Sequence, residues 1–405
     1  MKRRVLFCWE IGEGSGHVGP YLSLLSALAE AGWEVALALR NTAVADAHVR
    51  SRWPVFQAPV CLNEFTGLAE SPANHTELYL GFGFAHAPTL AGLAGGWRAL
   101  FSAWRPDLVL ANNAPVALLA ARASRLPALR IGTGFECPPG GARPPLLQPW
   151  RADLEPRLDR AEALALRNAN AVLRESGVVL EESLSAILYE VPALLATVPG
   201  FDDFPKREGR YEYLGPLPEA GGGIHPRQPV EIFAYLRVQH ARTADAVEAI
   251  ARTGRPALVC LPDASEAQCL AHSTEFMEVR REPADLPATL PGTRTVVCYA
   301  SHAVTLAALM AGKPLLLLPD HPEQRRTADR VLALGAGLKI EKDERPGRVA
   351  SGLKRILEEA AFREAARRFE EAQPPDDGSR ALARAAAACE RAVAPSTAQL
   401  KLVQS

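Results

Sequence analysis

The sequence predicts an α/β fold with two parallel-sheet, Rossmann-like domains, and two observations carry that prediction. Short β-branched and leucine-rich runs alternate with helical patterns along most of the chain, as βαβ units require. The alternation stops once, at a Gly/Pro-rich stretch, and then begins again. A third observation agrees: 405 residues exceed what one ordinary hydrophobic core organises and suit two domains of about 150–200 residues.

The first strand is Val5–Trp9, apolar throughout, as a strand covered on both faces must be. A helix is expected over Pro20–Ala31, then strands at Val35–Leu39, Leu108–Ala111 and Leu129–Gly132. "YLGPLPEAGGGIHPRQP" holds three consecutive glycines and four prolines, which continue neither a helix nor a central strand. The second run comprises strands Glu231–Leu236, Ala257–Leu261, Thr295–Cys298 and Leu315–Leu318, with helices at Ala244–Arg252 and Thr305–Ala311. The tail from Arg348 to Ala392 is rich in Ala, Glu and Arg and reads as terminal helices broken at "QPPDDGS". The expected domains are 1–214, a linker at 215–229, a second domain at 230–365, and a C-terminal helix and tail at 366–405.

Composition excludes several function classes. A formal net charge of −1 offers no global basic field for nucleic acid or an anionic membrane, so any anionic ligand must be held locally. Seven scattered cysteines, with no CxxC or Cys/His ligand spacing, read as reduced thiols of a cytoplasmic protein. No signal peptide precedes Val5, and no apolar run approaches the roughly 20 residues of a membrane span.

The segment "WEIGEGSGHVGPYLSLLSALAEAGWEV" follows the first strand with Gly12, Gly14 and Gly16 and then His17. A dinucleotide fingerprint would need glycine at 17 and an acid where Arg40 stands. A histidine at the mouth of a glycine loop suits proton transfer better, because imidazole accepts a proton near neutral pH.

These residues resemble the N-terminal signature of the GT-B glycosyltransferases, particularly the macrolide and plant secondary-metabolite class that uses nucleotide-diphosphate sugars. They are also similar to the enzyme that adds N-acetylglucosamine to lipid I. The resemblance extends over "CYASHAVTLAALMAGKPLLLLPDHPEQRRTADRVLALGAGLKI", the donor-site pattern of the class. It implies two facing Rossmann-like domains, with the ligand cleft between them and a C-terminal helix returning to the N-terminal domain.

It also implies roles. His17 falls on the histidine that deprotonates the acceptor, and Asn112, in "RPDLVLANNAP", stands where relatives carry the aspartate that orients it. An amide holds the ring without stabilising its charge, so assistance from Glu10, Glu13 or Glu136 is expected. On the acceptor side lie Gly14, Ser15 and Gly16, with Phe84 and His86 in the segment Glu64–Pro88 and Phe135 and Glu136 in Thr133–Trp150.

On the donor side, the helix start with Ser301, His302, Ala303 and Thr305 would meet the diphosphate through its amides and positive dipole end. Glu323 and Gln324 would bind sugar hydroxyls as acceptor and donor. Three departures stand out. Tyr299, Ala300 and Ser301 replace a histidine and paired glycines, Ala307 replaces the ribose-binding glutamate, and Arg237 replaces a Gly-Ser turn. A guanidinium there would bind phosphate bidentately.

The function implied is an inverting, metal-independent, cytoplasmic nucleotide-sugar-dependent glycosyltransferase with no cofactor. Its co-substrate is a UDP- or dTDP-sugar and its acceptor a small molecule, lipid or peptide. Two alternatives stay open: a GT-B-shaped inactive partner of another enzyme, motivated by the departures, and a nucleotide-sugar epimerase or hydrolase. A homodimer is compatible with a sequence in which no interface is legible.

Overall fold

The runs read as strands assemble into two separate sheets, every strand pair parallel, in a computed structural model. It describes residues 2–394 apart from 46, 142, 150, 152–153, 208, 219–222, 346 and 374–377, and the side chains of 15, 47 and 48. The chain divides into two compact units, Met1–Glu219 with Asp377–Ser405, and Ala220–Asp376.

The N-terminal unit holds β1 (Arg4–Trp9), β2 (Glu34–Leu39), β3 (Val55–Gln57), β4 (Leu108–Asn112), β5 (Ala128–Gly132), β6 (Ala193–Leu195) and β7 (Tyr211–Tyr213). Their order in the sheet is β3-β2-β1-β4-β5-β6-β7. Strand order therefore reverses between β1 and β4, whose register pairs Trp9 with Asn112. Ligands of open parallel sheets lie beyond the carboxyl ends of the strands at such a reversal.

β1 is buried from Val5 to Trp9, and alternate residues feed opposite cores. Leu6 and Cys8 pack with Trp97 and Phe101 on one side; Val5, Phe7 and Trp9 pack with Leu24, Leu25 and Leu28 on the other. That division is why the run has no polar alternation to read.

The second unit holds β8 (Ile232–Tyr235), β9 (Ala257–Cys260), β10 (Met277–Arg280), β11 (Thr295–Cys298), β12 (Leu315–Leu317) and β13 (Gly337–Lys339), ordered β10-β9-β8-β11-β12-β13. Its reversal lies between β8 and β11.

Two boundaries differ from expectation. The segment after 222 belongs to the second unit: Ile224 bridges Ala284, with Ile224 N–H on Pro283 O and Asp285 N–H on Ile224 O. The helix Ala360–Glu371 also belongs there, so the return to the first unit is made by Ser379–Val393 alone. Ala381, Ala385, Ala388 and Cys389 recur at helical spacing on its buried face. Small side chains let it lie close to the helix Leu22–Glu30, and Trp33 Nε1–H donates to Glu390 at 2.6 Å. No helix among the described residues is long and apolar enough to cross a membrane.

Candidate active site

β1 ends at Trp9 and the chain turns through the glycine loop into two short 3₁₀ turns, the first carrying His17. The ring stacks on Trp9 with centroids 5.2 Å apart. Gly12 is required here twice over. Its φ is +106°, and a Cβ at this position would lie 2.0 Å from His17 Nε2. The backbone approach that the glycines permit is thus partly an approach by the protein's own imidazole.

His17 Nδ1 lies 2.9 Å from Asn112 Oδ1 and 2.8 Å from Glu136 Oε1. Both partners are acceptors, so Nδ1 carries the proton and the lone pair lies on Nε2. Asn112, at the end of β4, is fixed by its own amide, which donates to Ile131 O at 2.9 Å and Tyr21 Oη at 3.3 Å.

Glu136 sits in the loop after β5. Its Oε2 accepts from Thr133 N–H at 2.7 Å and from the Tyr21 hydroxyl at 3.2 Å. Burial alone would raise this carboxyl, but the hydrogen bond from His17 and its charge, with Thr133 N–H and the Asn112 amide, hold it below the ordinary carboxylate value. Gly132 makes room for it, since a Cβ there would come within 2.7 Å of Glu136 Cβ. The loop is braced from below by Arg207, which donates to Cys137 O at 2.7 Å and Gly134 O at 3.1 Å. Arg207 also pairs with buried Asp202, itself bonded by the Tyr213 hydroxyl at 2.6 Å.

The carboxylate absent at position 112 is therefore supplied from the next strand. Of the three acids considered, Glu10 does something else: its two oxygens accept from Val116 N–H at 3.0 Å and Ala117 N–H at 2.6 Å, capping the helix Pro115–Ala123. Burial drives its carboxyl up to about 8.

In the second unit, the reversal between β8 and β11 gathers a polar, aromatic cluster. Tyr299 lies 5.9 Å from Tyr235 and 6.4 Å from His240, ring to ring, with the Arg237 guanidinium 6.0 Å over its face. Burial pushes the His240 imidazole below its usual value. Ala300 follows in the left-handed region, φ 62°. Ser301 occupies the N-cap of the helix His302–Met310, and its side chain makes no cap bond. Among the described residues no three His, Cys, Asp or Glu gather as metal ligands would.

With both reversals described, the chain can be set beside known proteins. Residues 263–378 match the family model for the erythromycin biosynthesis protein CIII-like C-terminal domain. The elloramycin glycosyltransferase ElmGT of Streptomyces olivaceus is 29% identical over 306 residues, covering 69% of each chain. The crystal structure of CalG4, the calicheamicin glycosyltransferase, superposes with a TM-score of 0.70 at 20% identity, covering 98% of this chain and 99% of that one. That of the glycosyltransferase VinC, in complex with dTDP, gives 0.68 at 19%, covering 96% and 99%. The chain has the two-domain GT-B fold of these glycosyltransferases, and its residues 263–378 are similar to the EryCIII-like C-terminal domain.

Within this fold the sequence-derived residues fall unevenly. His17, Asn112 and Glu136 are brought together, with Gly14 (φ 77°) and Gly16 in the same loop; the Ser15 side chain lies outside the described residues. Phe135 packs with Leu147 and Phe204. Phe84 is fully buried with Tyr79 and Trp97 in the core, so it lines no acceptor surface as it stands. His86 is exposed and bonds Thr89 at 2.9 Å in the first turn of the helix Ala87–Trp104.

On the donor side, Arg237, Ser301, His302 and Ala303 surround the β8/β11 reversal. Thr305 is turned inward, its hydroxyl 3.7 Å from Cys298 Sγ. Gln324 is buried and its amide oxygen accepts from Asp320 N–H at 2.9 Å, while Glu323 is half-buried in the first turn of Pro322–Ala333. Tyr21, Trp9 and the Arg207–Asp202 brace had no sequence signal, because each acts through a partner distant along the chain.

Proposed function

We propose that this glycosyltransferase moves a sugar from a dTDP- or UDP-linked donor to an acceptor nucleophile with inversion, using His17 as base. The observation that carries this reading is the imidazole itself, whose Nδ1–H is held by a buried carboxylate and an amide while its lone pair lies on Nε2. As the acceptor oxygen attacks the anomeric carbon, its proton passes to Nε2 and the bond from that carbon to the diphosphate oxygen breaks. Attack opposite the leaving group inverts the centre. Glu136 stabilises the imidazolium that forms, the part a carboxylate plays in a Ser-His-Asp triad.

The departing diphosphate is taken up by the amides at Ser301–Ala303 and by Arg237, a helix start and a guanidinium acting without a basic surface. No metal or cofactor is part of the proposal. That VinC is described with dTDP supports the nucleotide class.

The test is thermal unfolding with dTDP, UDP and GDP. A ligand at 100 times its Kd stabilises by about 2.7 kcal/mol, so dTDP or UDP should raise Tm by several degrees. No rise with any nucleotide overturns the donor assignment.

A further inference from the structure

Glu136 serves His17 only while its loop keeps one course, and no helix or strand spans residues 133–138. The hold comes instead from side chains on the loop's carbonyls. Arg207 takes Gly134 O and Cys137 O, and Arg130 Nη1–H donates to Pro138 O at 2.6 Å. Between these, Phe135 O is taken by an imidazole: His75 Nε2 lies 2.7 Å away. A carbonyl oxygen only accepts, so Nε2 carries the proton.

Phe135 O belongs to the peptide group that ends at Glu136 N. The other end of that group, Glu136 N–H, donates to Thr133 Oγ1 at 3.3 Å. The plane from which the Glu136 side chain departs is therefore held at both ends, and the peptide unit is rigid between them. Rotation of that plane would swing the carboxylate off His17 Nδ1, 2.8 Å from Oε1.

His75 itself is fixed. It is fully buried, with the rings of Phe135, Phe204 and Tyr79 at 5.0, 6.0 and 6.1 Å. It opens the helix His75–Tyr79, whose N-cap Asn74 accepts from Glu77 N–H at 2.9 Å. Glu77 accepts in turn from Ala73 N–H at 2.8 Å and pairs with Arg157 at 2.5 and 2.6 Å. A phenylalanine would fill this aromatic setting without desolvating a polar ring. The bond to Phe135 O is what the imidazole adds.

We propose that His75 is a positioning residue for the base: through Phe135 O, with Thr133 at the other end of the peptide group, it sets the direction of Glu136 and so the bond that holds the His17 ring. Its part in catalysis rests on the transferase reading; its hold on Glu136 does not.

The test is proton NMR of the full chain labelled with ¹⁵N-histidine, no substrate present. The His17 Nδ1–H resonance, identified by its absence in His17→Ala, lies at low field while a carboxylate holds it, and Glu136→Gln supplies the upfield reference. His75→Phe should move the resonance at least half of the way to that reference. His75→Gln, whose amide N–H can reach Phe135 O, should restore the wild-type position. Thr133→Val, at a half-buried site, frees the other end of the peptide group, should act as His75→Phe does, and decides the matter if His75→Phe does not fold. A resonance unmoved in His75→Phe, or moved there and not restored in His75→Gln, overturns the inference, as does a Glu136→Gln variant that leaves it in place. Initial rates test the transferase reading separately: the variants that move the resonance should lose about 10- to 100-fold in kcat with the dTDP- or UDP-induced thermal shift retained. Wild-type kcat in those variants refutes His17 as base and leaves the hold of His75 on Glu136 standing.

Discussion

Replacing Glu136 by Gln removes one charge from a site where everything else stays in place. The Nδ1···Oε1 separation is 2.8 Å, which puts the centres of an imidazolium and a carboxylate roughly 4 Å apart, and at an effective dielectric of about 20 their attraction is about 4 kcal/mol. In the proposed mechanism this attraction arises as His17 takes up the acceptor's proton, so it would act on the transition state rather than on substrate binding. The bonds to Asn112 and Tyr21 persist in the variant and recover part of it. A net loss of about 2–4 kcal/mol corresponds to a fall in kcat of about 30- to 1000-fold at 1.36 kcal/mol per decade.

Initial rates of wild type and Glu136→Gln, measured with a nucleotide sugar chosen by thermal shift and an acceptor found by screening, give the number directly. The donor KM should stay within about twofold. A kcat within threefold of wild type, or a loss appearing only in the donor KM, refutes the reasoning. The same carboxyl supplies a second readout. Its pKa in the folded chain lies below its ordinary value, so the unfolded chain binds the proton more readily, and the stabilisation is full above the ordinary carboxylate pKa. That stabilisation is lost as pH falls through the folded value. Wild type should therefore show a steeper acid loss of Tm than Glu136→Gln.

Three further outcomes are expected. Gly12→Ala brings a Cβ to 2.0 Å from His17 Nε2 and should cut kcat at least 100-fold, as removal of a general base does, with nucleotide-induced Tm shifts retained. Ala300→Gly relieves a left-handed alanine, worth roughly 1–2 kcal/mol, against about 0.4–1 kcal/mol of added unfolded-chain entropy; calorimetry should record a Tm gain of ~1–4 °C. At pH 8 a disulfide reagent should modify one thiol rapidly, half-buried Cys61, because the other six are buried, with Cys137 and Cys389 pushed up to about 12 and Cys298 to about 11. Rapid modification of two or more in the native protein would contradict that burial.

The parallel architecture was legible because central strands such as Val5–Trp9 and Leu315–Leu317 are apolar on both faces and bounded by breakers. The edges were not. β6, β7 and β13 are three residues each, too short for any periodicity, and β10 includes Glu278 and Arg280, which alternate outward. His17 was legible from its loop, whereas its carboxylate was not assignable to one residue. Position 112 carries an amide, and Glu136 reaches the ring from another strand by a loop whose course depends on Arg207 and Asp202. That Phe84 and Thr305 face inward was not legible for a related reason: a residue beside a motif in sequence can face the core, and sequence spacing within an irregular turn does not fix that direction. The same holds for Gln324, whose amide oxygen accepts from Asp320 N–H.

The most direct measurement is turnover by His17→Ala alongside its nucleotide-induced thermal shift, on the same preparation. General-base loss predicts a fall in kcat of about 10²–10⁴ with the thermal shift unchanged. Turnover equal to wild type would remove His17 as the base, and with it the role assigned to Glu136.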